Sequence, residues 1–212
     1  MGYMWKRPAG YKPPLSAKTL LDRYEGGARY FLGVCLPGAD FSKATLQRAN
    51  LFHTKLQGAN FQGADLYRAN LQRALLQDAN FRKASLRQTS FTSAKLQGAQ
   101  FTGANLQGAH LSWTHLDQAN LQGTNLSGAN LSHANIQGAN LMEVALGGAN
   151  LSQADLGGAN LQGAYLRKAN LSGALLQDAD LTGANLRGAT ADPKTTWPKG
   201  FDPAQHGIII DN

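Results

Sequence analysis

The chain has 212 residues, of which 42% are apolar and 16% charged, with 24 glycines and a formal net charge of +7. No apolar run approaches membrane-spanning length, and the single cysteine, Cys35, excludes an internal disulfide framework and any Cys-rich metal site. A soluble protein of a reducing, cytoplasmic compartment is expected, without membrane insertion; Met1-Gly2 is followed by Lys6 where a myristoylation signal requires Ser or Thr, so no lipid anchor is predicted.

Charge is distributed unevenly. Residues 1–30 carry six basic and two acidic side chains and residues 31–110 carry nine and three, whereas residues 111–190 carry three and five. A basic N-terminal half faces a mildly acidic C-terminal half, a polarity that suits an acidic partner.

In chain order, residues 1–30 read as an arm followed by a capping helix. Pro8, Pro13 and Pro14 with Lys6, Arg7 and Lys12 predict an extended basic arm. Ser16 is placed to N-cap a short helix whose Ala17, Leu20, Leu21 and Tyr24 form one apolar stripe, ended by Gly26-Gly27. Leu32 and Phe52, apolar on an outward column, suggest that this helix also folds over the side of the first layers.

Residues 31–190 are an internal repeat with a period of five. From Phe31 to Leu186 each of 32 successive fifth positions is Leu, Phe or Ile. The positions from Val34 to Ala189 hold 26 Ala, four Thr and two Val, and the residue after each small one is Asn or Asp in 18 of 32 cases. On an α-helix such a period advances about 140° per unit, so the leucines would spiral around the axis and form no stripe. On one straight strand the next Ala would point to the opposite face. The chain must therefore bend between units, and right-angle corners close four units into a square coil of about twenty residues, with large and small apolar side chains inside.

The aromatic residues support that number: Phe41, Phe61, Phe81 and Phe101 are spaced to stack in four successive layers, and Gln57, Gln77 and Gln97 form an outward column, as do Ser112, Ser132, Ser152 and Ser172. About eight coils stacked at roughly 4.8 Å make a rod of roughly 38 Å. Residues 191–212 then read as a C-terminal cap, with Trp197, Phe201 and Ile208 to Ile210 covering the last layer.

The A-[N/D]-[L/F]-x-x unit resembles that of the pentapeptide repeat proteins over about three quarters of the chain. The flanks, Leu20-Leu21-Asp22-Arg23-Tyr24 and Trp197-Pro198-Lys199-Gly200-Phe201-Asp202-Pro203, are similar to those of cyanobacterial members. The resemblance implies an all-β fold, a right-handed quadrilateral β-helix, here flanked by the N-terminal helix and the C-terminal cap. It also raises an alternative role, because some family members mimic DNA with an acidic rod and bind type II topoisomerases such as DNA gyrase.

No catalytic constellation is predicted: phosphate loops and nucleophile motifs are absent from the sequence, no cofactor or small-molecule substrate is implied, and no Cys or paired carboxylate joins His110, His115 and His133 to make a metal site. The expected role is a non-catalytic protein interaction module or scaffold. Its first candidate surface is a basic face with Arg48, Arg68 and Arg87 in three successive layers and Lys43, Arg82 and Lys83 at the leading corner, countered only by Asp65. The second is Trp113 with His110 and His133, since an outward Trp is a frequent interface anchor. An acidic protein partner is expected. Nucleic acid is not, because only Tyr67 and Trp113 interleave with the basic residues and a basic half argues against DNA mimicry.

Overall fold

A computed structural model describes residues 10–211 of the chain. Lys6, Arg7, Pro8 and the myristoylation position lie outside the described residues. The segment from Gly10 to the helix is not a free arm: Pro14 is buried, and Arg23 donates from its guanidinium to the Lys12 carbonyl at 2.6 Å.

Helix α1 spans Ala17–Glu25. Ser16 caps it, its hydroxyl accepting the Thr19 amide, and Gly26 ends it. Leu20 and Tyr24 are buried, and Ala17 and Leu21 pack against the same core. Tyr24 also donates from its hydroxyl to the Gln47 carbonyl at 3.0 Å, which ties the helix to the second side of the coil beyond Leu36. On the outward column, Leu32 is buried and Phe52 partly buried.

From Tyr30 onward the backbone is an unbroken series of parallel bridges between residues twenty apart, from Tyr30 with Asn50 to Asn170 with Thr190. Four such ladders run side by side, one for each residue that precedes a Leu or Phe, so every coil has four sides. The ladder bonds recur in every coil; Phe61, for example, donates to the Asn80 carbonyl at 2.7 Å and Asn60 to the Ala39 carbonyl at 2.9 Å. The core inside is closed. Phe61, Leu66, Leu71, Leu76 and Phe81 have no exposed surface, and the alanines between them are equally buried.

Phe41, Phe61, Phe81 and Phe101 stack with centroids 5.1, 5.0 and 5.0 Å apart, and Phe91 crosses from the opposite side to meet Phe81 edge-on at 5.8 Å. The four threonines at small positions satisfy their hydroxyls on carbonyls: Thr54 on Leu51, Thr89 on Leu66, Thr114 on Leu111 and Thr124 on Phe101.

Two local devices make the corners. All 18 Asn or Asp residues that follow the small residue of a unit accept, through Oδ1, the amide two residues on, as Asn60 does from Gln62 at 3.1 Å. Each is thus a local side-chain turn that satisfies an amide the ladders leave out. The second device is a left-handed residue. The position two after each Leu or Phe has φ between +54° and +73° at all 32 corners, and 16 of these residues are Gly and 16 are not. In most corners the Ala amide immediately after it bonds back to the Leu or Phe carbonyl, the geometry of a type II turn.

At the C-terminus the register changes. Leu175 bridges Thr196, twenty-one residues on. The Asp192 carboxylate takes the Gly173 amide at 2.8 Å where a backbone carbonyl would otherwise serve, and Thr195 bonds the Leu171 carbonyl. Strand β1 (Thr190–Ala191) then pairs in parallel with β2 (Ile209–Ile210) after a short 3-10 turn at Pro203–His206. This corrects the expected cap. Trp197, Phe201 and Ile208 pack on the core, but Ile209 and Ile210 are 54% and 46% exposed, because β2 adds one more rung to the ladder that runs through Asn170 and Thr190 and is its last rung among the described residues.

Candidate interaction surfaces

Most corner residues are exposed, and their side chains lean toward the next coil. The Cγ atoms of Lys43, Lys83, Gln88 and Lys168 lie where a Cβ on Gly63, Gly103, Gly108 and Gly188 would touch them at 3.7 to 3.8 Å. A corner side chain therefore covers the next corner, and its contact there depends on the residue twenty positions on.

On the basic face, Arg48 and Arg68 occupy one corner column and Arg87 the neighbouring position of the next coil; Lys43, Arg82 and Lys83 line the preceding corner, and all six are exposed. Arg68 donates to Gln88 Oε1 at 2.6 Å and its guanidinium lies 5.1 Å from the Tyr67 ring, while Arg82 donates to Gln100 Oε1 at 3.0 Å. These are neutral partners. Asp65, the acid expected to offset the face, accepts instead from Gln47 Nε2 at 2.6 Å and from the Tyr67 amide. Among the described residues the only ion pair is Lys18 with Asp22 on α1, where the carboxylate raises the Lys18 ammonium above its ordinary value. The same edge becomes basic again at Arg167, Lys168 and Arg187, beside the exposed Tyr165.

The second surface is assembled in part. Trp113 and His133 lie on one corner in adjacent coils, their rings parallel within 6° and 4.0 Å apart, with Trp113 57% exposed. His110 is exposed on the side before that corner and no ring contact joins it to Trp113; His115 is exposed on the side after it. Among the described residues no group of three His, Cys, Asp or Glu side chains converges as a metal site requires. A cleft of about 480 Å³ lies between Asp178–Gly183 and Pro198–Phe201 at the C-terminal end, where His206 stacks on Phe201 at 4.3 Å and bonds the Asp202 carbonyl through Nδ1.

Two features of these surfaces were not read from the sequence. One is the left-handed backbone under Arg48, Arg68, Lys43, Lys83, Trp113 and His133, whose signal is the run of glycines in the same place of the unit. The other is Arg73 and Lys95, which belong to the corner and side adjoining Trp113 and which a column read at intervals of twenty would have found.

A rod of four-sided coils, each side a five-residue unit, around a closed apolar core defines a class of repeat protein. The family of pentapeptide repeats matches in eight copies, over residues 35–73, 44–82, 69–108, 109–148 and 149–188, and the chain belongs to that family. Among solved structures it is similar to HetL, a pentapeptide repeat protein involved in heterocyst differentiation regulation from the cyanobacterium Nostoc sp. strain PCC 7120 (31% identity, 89% of this chain and 99% of that one, TM-score 0.41). It is similar also to the Nostoc protein alr5209 (40%, 50% and 84%, 0.28) and to QnrB1, a plasmid-mediated fluoroquinolone resistance protein (23%, 86% and 82%, 0.47). No curated protein matches the chain.

Proposed function

We propose that the chain is a non-catalytic interaction module of the cytoplasm, a right-handed quadrilateral β-helix that binds an acidic protein partner through its side faces. The observation that carries this reading is the face of Arg48, Arg68, Arg87, Lys43, Arg82 and Lys83, six exposed cations held in layers by a rigid backbone with no ion pair among them. Like charges stacked this closely repel, and an acidic partner relieves that repulsion while it gains from the preset spacing. A role exerted through binding also suits a pentapeptide-repeat rod whose outward side chains are free of the packing that fixes its interior.

The topoisomerase reading has less support, because DNA mimicry needs stacked acids, and no Asp or Glu of the repeat has another twenty positions on. The test is a pull-down from source-cell lysate with Arg48, Arg68 and Arg87 changed together to Glu. The variant should lose the parental partner, and parental capture should weaken as salt rises. Recovery of the same partners by both proteins, or inhibition of gyrase supercoiling by the parent, would overturn the assignment.

A further inference from the structure

The corner that carries Trp113 runs, coil by coil, through Arg73, Ser93, Trp113 and His133. The ladder fixes that order, with Arg73 donating to the Thr92 carbonyl, Ser93 to Ser112 and Trp113 to Ser132 at 3.0, 3.0 and 3.1 Å. Since corner side chains lean toward the next coil, Trp113 lies over His133 and one indole face is covered. The other face looks back toward Ser93, an exposed residue whose side chain ends at Oγ and does not cover an indole. Arg73 stands one coil further back. Two coil steps of about 4.8 Å separate Arg73 from Trp113, and the coil between them contributes only a hydroxymethyl group. The order of corner residues thus leaves a slot one layer thick between an indole face and the Arg73 corner, the thickness one planar ring needs.

The charge around the slot is positive. Lys95 lies two residues after Ser93 on the adjoining side, bridged to His115 in the next coil, and Lys55 lies two coils before it on the same ladder. Among the described residues Arg73, Lys95 and Lys55 form no ion pair, and the nearest acids of that side, Asp78 and Asp117, both sit at its far corner. The backbone adds an independent argument. Trp113 has φ +61°, a conformation that suits Gly and costs a bulky side chain about 1 kcal/mol or more, and the exposed indole gains little burial in return.

We infer that the slot between Arg73 and Trp113 receives an aromatic side chain of an acidic protein segment, with Lys95 and Lys55 contacting the flanking carboxylates. This rests on the interaction-module reading and assigns it a second, separate contact. A nucleobase would also stack there, but the repeat offers one such slot and no series of them along the rod, whereas single-stranded nucleic acid is bound by successive stacking platforms.

The experiment uses the full chain with Trp5→Phe and Trp197→Phe, so that Trp113 alone reports by fluorescence. It is titrated with a glutamate-tyrosine copolymer, with polyglutamate and with oligothymidylate. The copolymer should quench Trp113 and bind roughly tenfold more tightly than polyglutamate. Ser93→Gln fills the slot with a residue type the corners already hold at Gln88, Gln118 and Gln153, so folding is preserved; it should bring the copolymer down to the polyglutamate level. Arg73→Gln should weaken both polymers. Equal binding of the two polymers, an unaltered Ser93→Gln variant, or quenching by oligothymidylate at lower concentration than by the copolymer would each overturn the proposal. The basic face is intact in all these variants, so their failure leaves the Arg48, Arg68 and Arg87 pull-down standing, and the reverse also holds.

Discussion

Substitution at Gly128 isolates the energy of a corner. Its φ is +65° and a Cβ built there meets nothing within 4 Å, so any loss on substitution comes from the backbone and not from a clash. An L residue in the left-handed region costs about 1–2 kcal/mol. Gly→Ala also removes unfolded-state freedom, which returns about 0.4–1 kcal/mol. Gly128→Ala should therefore destabilise the folded chain by about 0.5–1 kcal/mol, Gly128→Asn by less, because Asn tolerates this region, and Gly128→Val by clearly more. Gly98→Ala differs: its Cβ would collide with Asp78 Oδ1, so it should cost more than Gly128→Ala until Asp78→Ala is added. Guanidinium denaturation of each variant gives the order from the shift in midpoint. Neutral behaviour of Gly128→Val, or stabilisation by Gly128→Ala, would show that the corners are not limited by φ.

Phe81→Ala should cost about 3–5 kcal/mol and Phe81→Leu under about 1.5 kcal/mol, since Leu121 and Leu141 fill the same column further along the rod; thermal melts of both decide. Asp180 is held below its ordinary carboxylate range by the Thr182 hydroxyl and Gln162, then by the Thr182 amide. Its contribution is therefore present above the usual carboxylate pKa and lost as pH falls through the depressed one, and Asp180→Asn, which keeps the local turn, should flatten the acid limb of a stability-pH curve. Removing residues 191–212 takes away Trp197, Phe201 and Ile208 from the core, with β2 and Ala191 of β1; light scattering should report self-association, and a monomer as soluble as the parent would show that the segment protects nothing.

The interior was legible because burial enforces it: each Leu, Phe and Ala faces a closed core, so the period of five and the Phe spacing of twenty survive as pattern. Helix α1 was legible from Ser16, its apolar stripe and the paired glycines. The extra residue before Thr196 was not, because it shifts the register without disturbing any hydrophobic period, and its signature is a hydrogen-bonding substitution by Asp192 and Thr195. The exposure of Ile209 and Ile210 escaped for a related reason, since an apolar triplet does not say that its strand is the last rung of the ladder. The Gln57, Gln77 and Gln97 column exists, yet Oε1 of Gln77 and of Gln97 accepts no hydrogen bond among the described residues, so a column of like residues does not by itself imply a bonded ladder.

The corners connect backbone energetics to function. Where all 32 require a positive φ, Gly is the residue of least strain, and each of the 16 departures from it carries a cost. Lys, Arg and Gln recover part of that cost because their stems lie over the next coil, as Lys43 does over Gly63. Trp113 recovers only its stack on His133, of the order of 1 kcal/mol, about what the left-handed backbone costs it. Trp113→Gly should then leave stability nearly unchanged in the same denaturation assay. A loss of about 2 kcal/mol or more would make the indole a structural element of the rod, whereas a neutral result together with a lost preference for the glutamate-tyrosine copolymer over polyglutamate, read by calorimetry because the variant has no indole at 113 to report, would place its use at the surface.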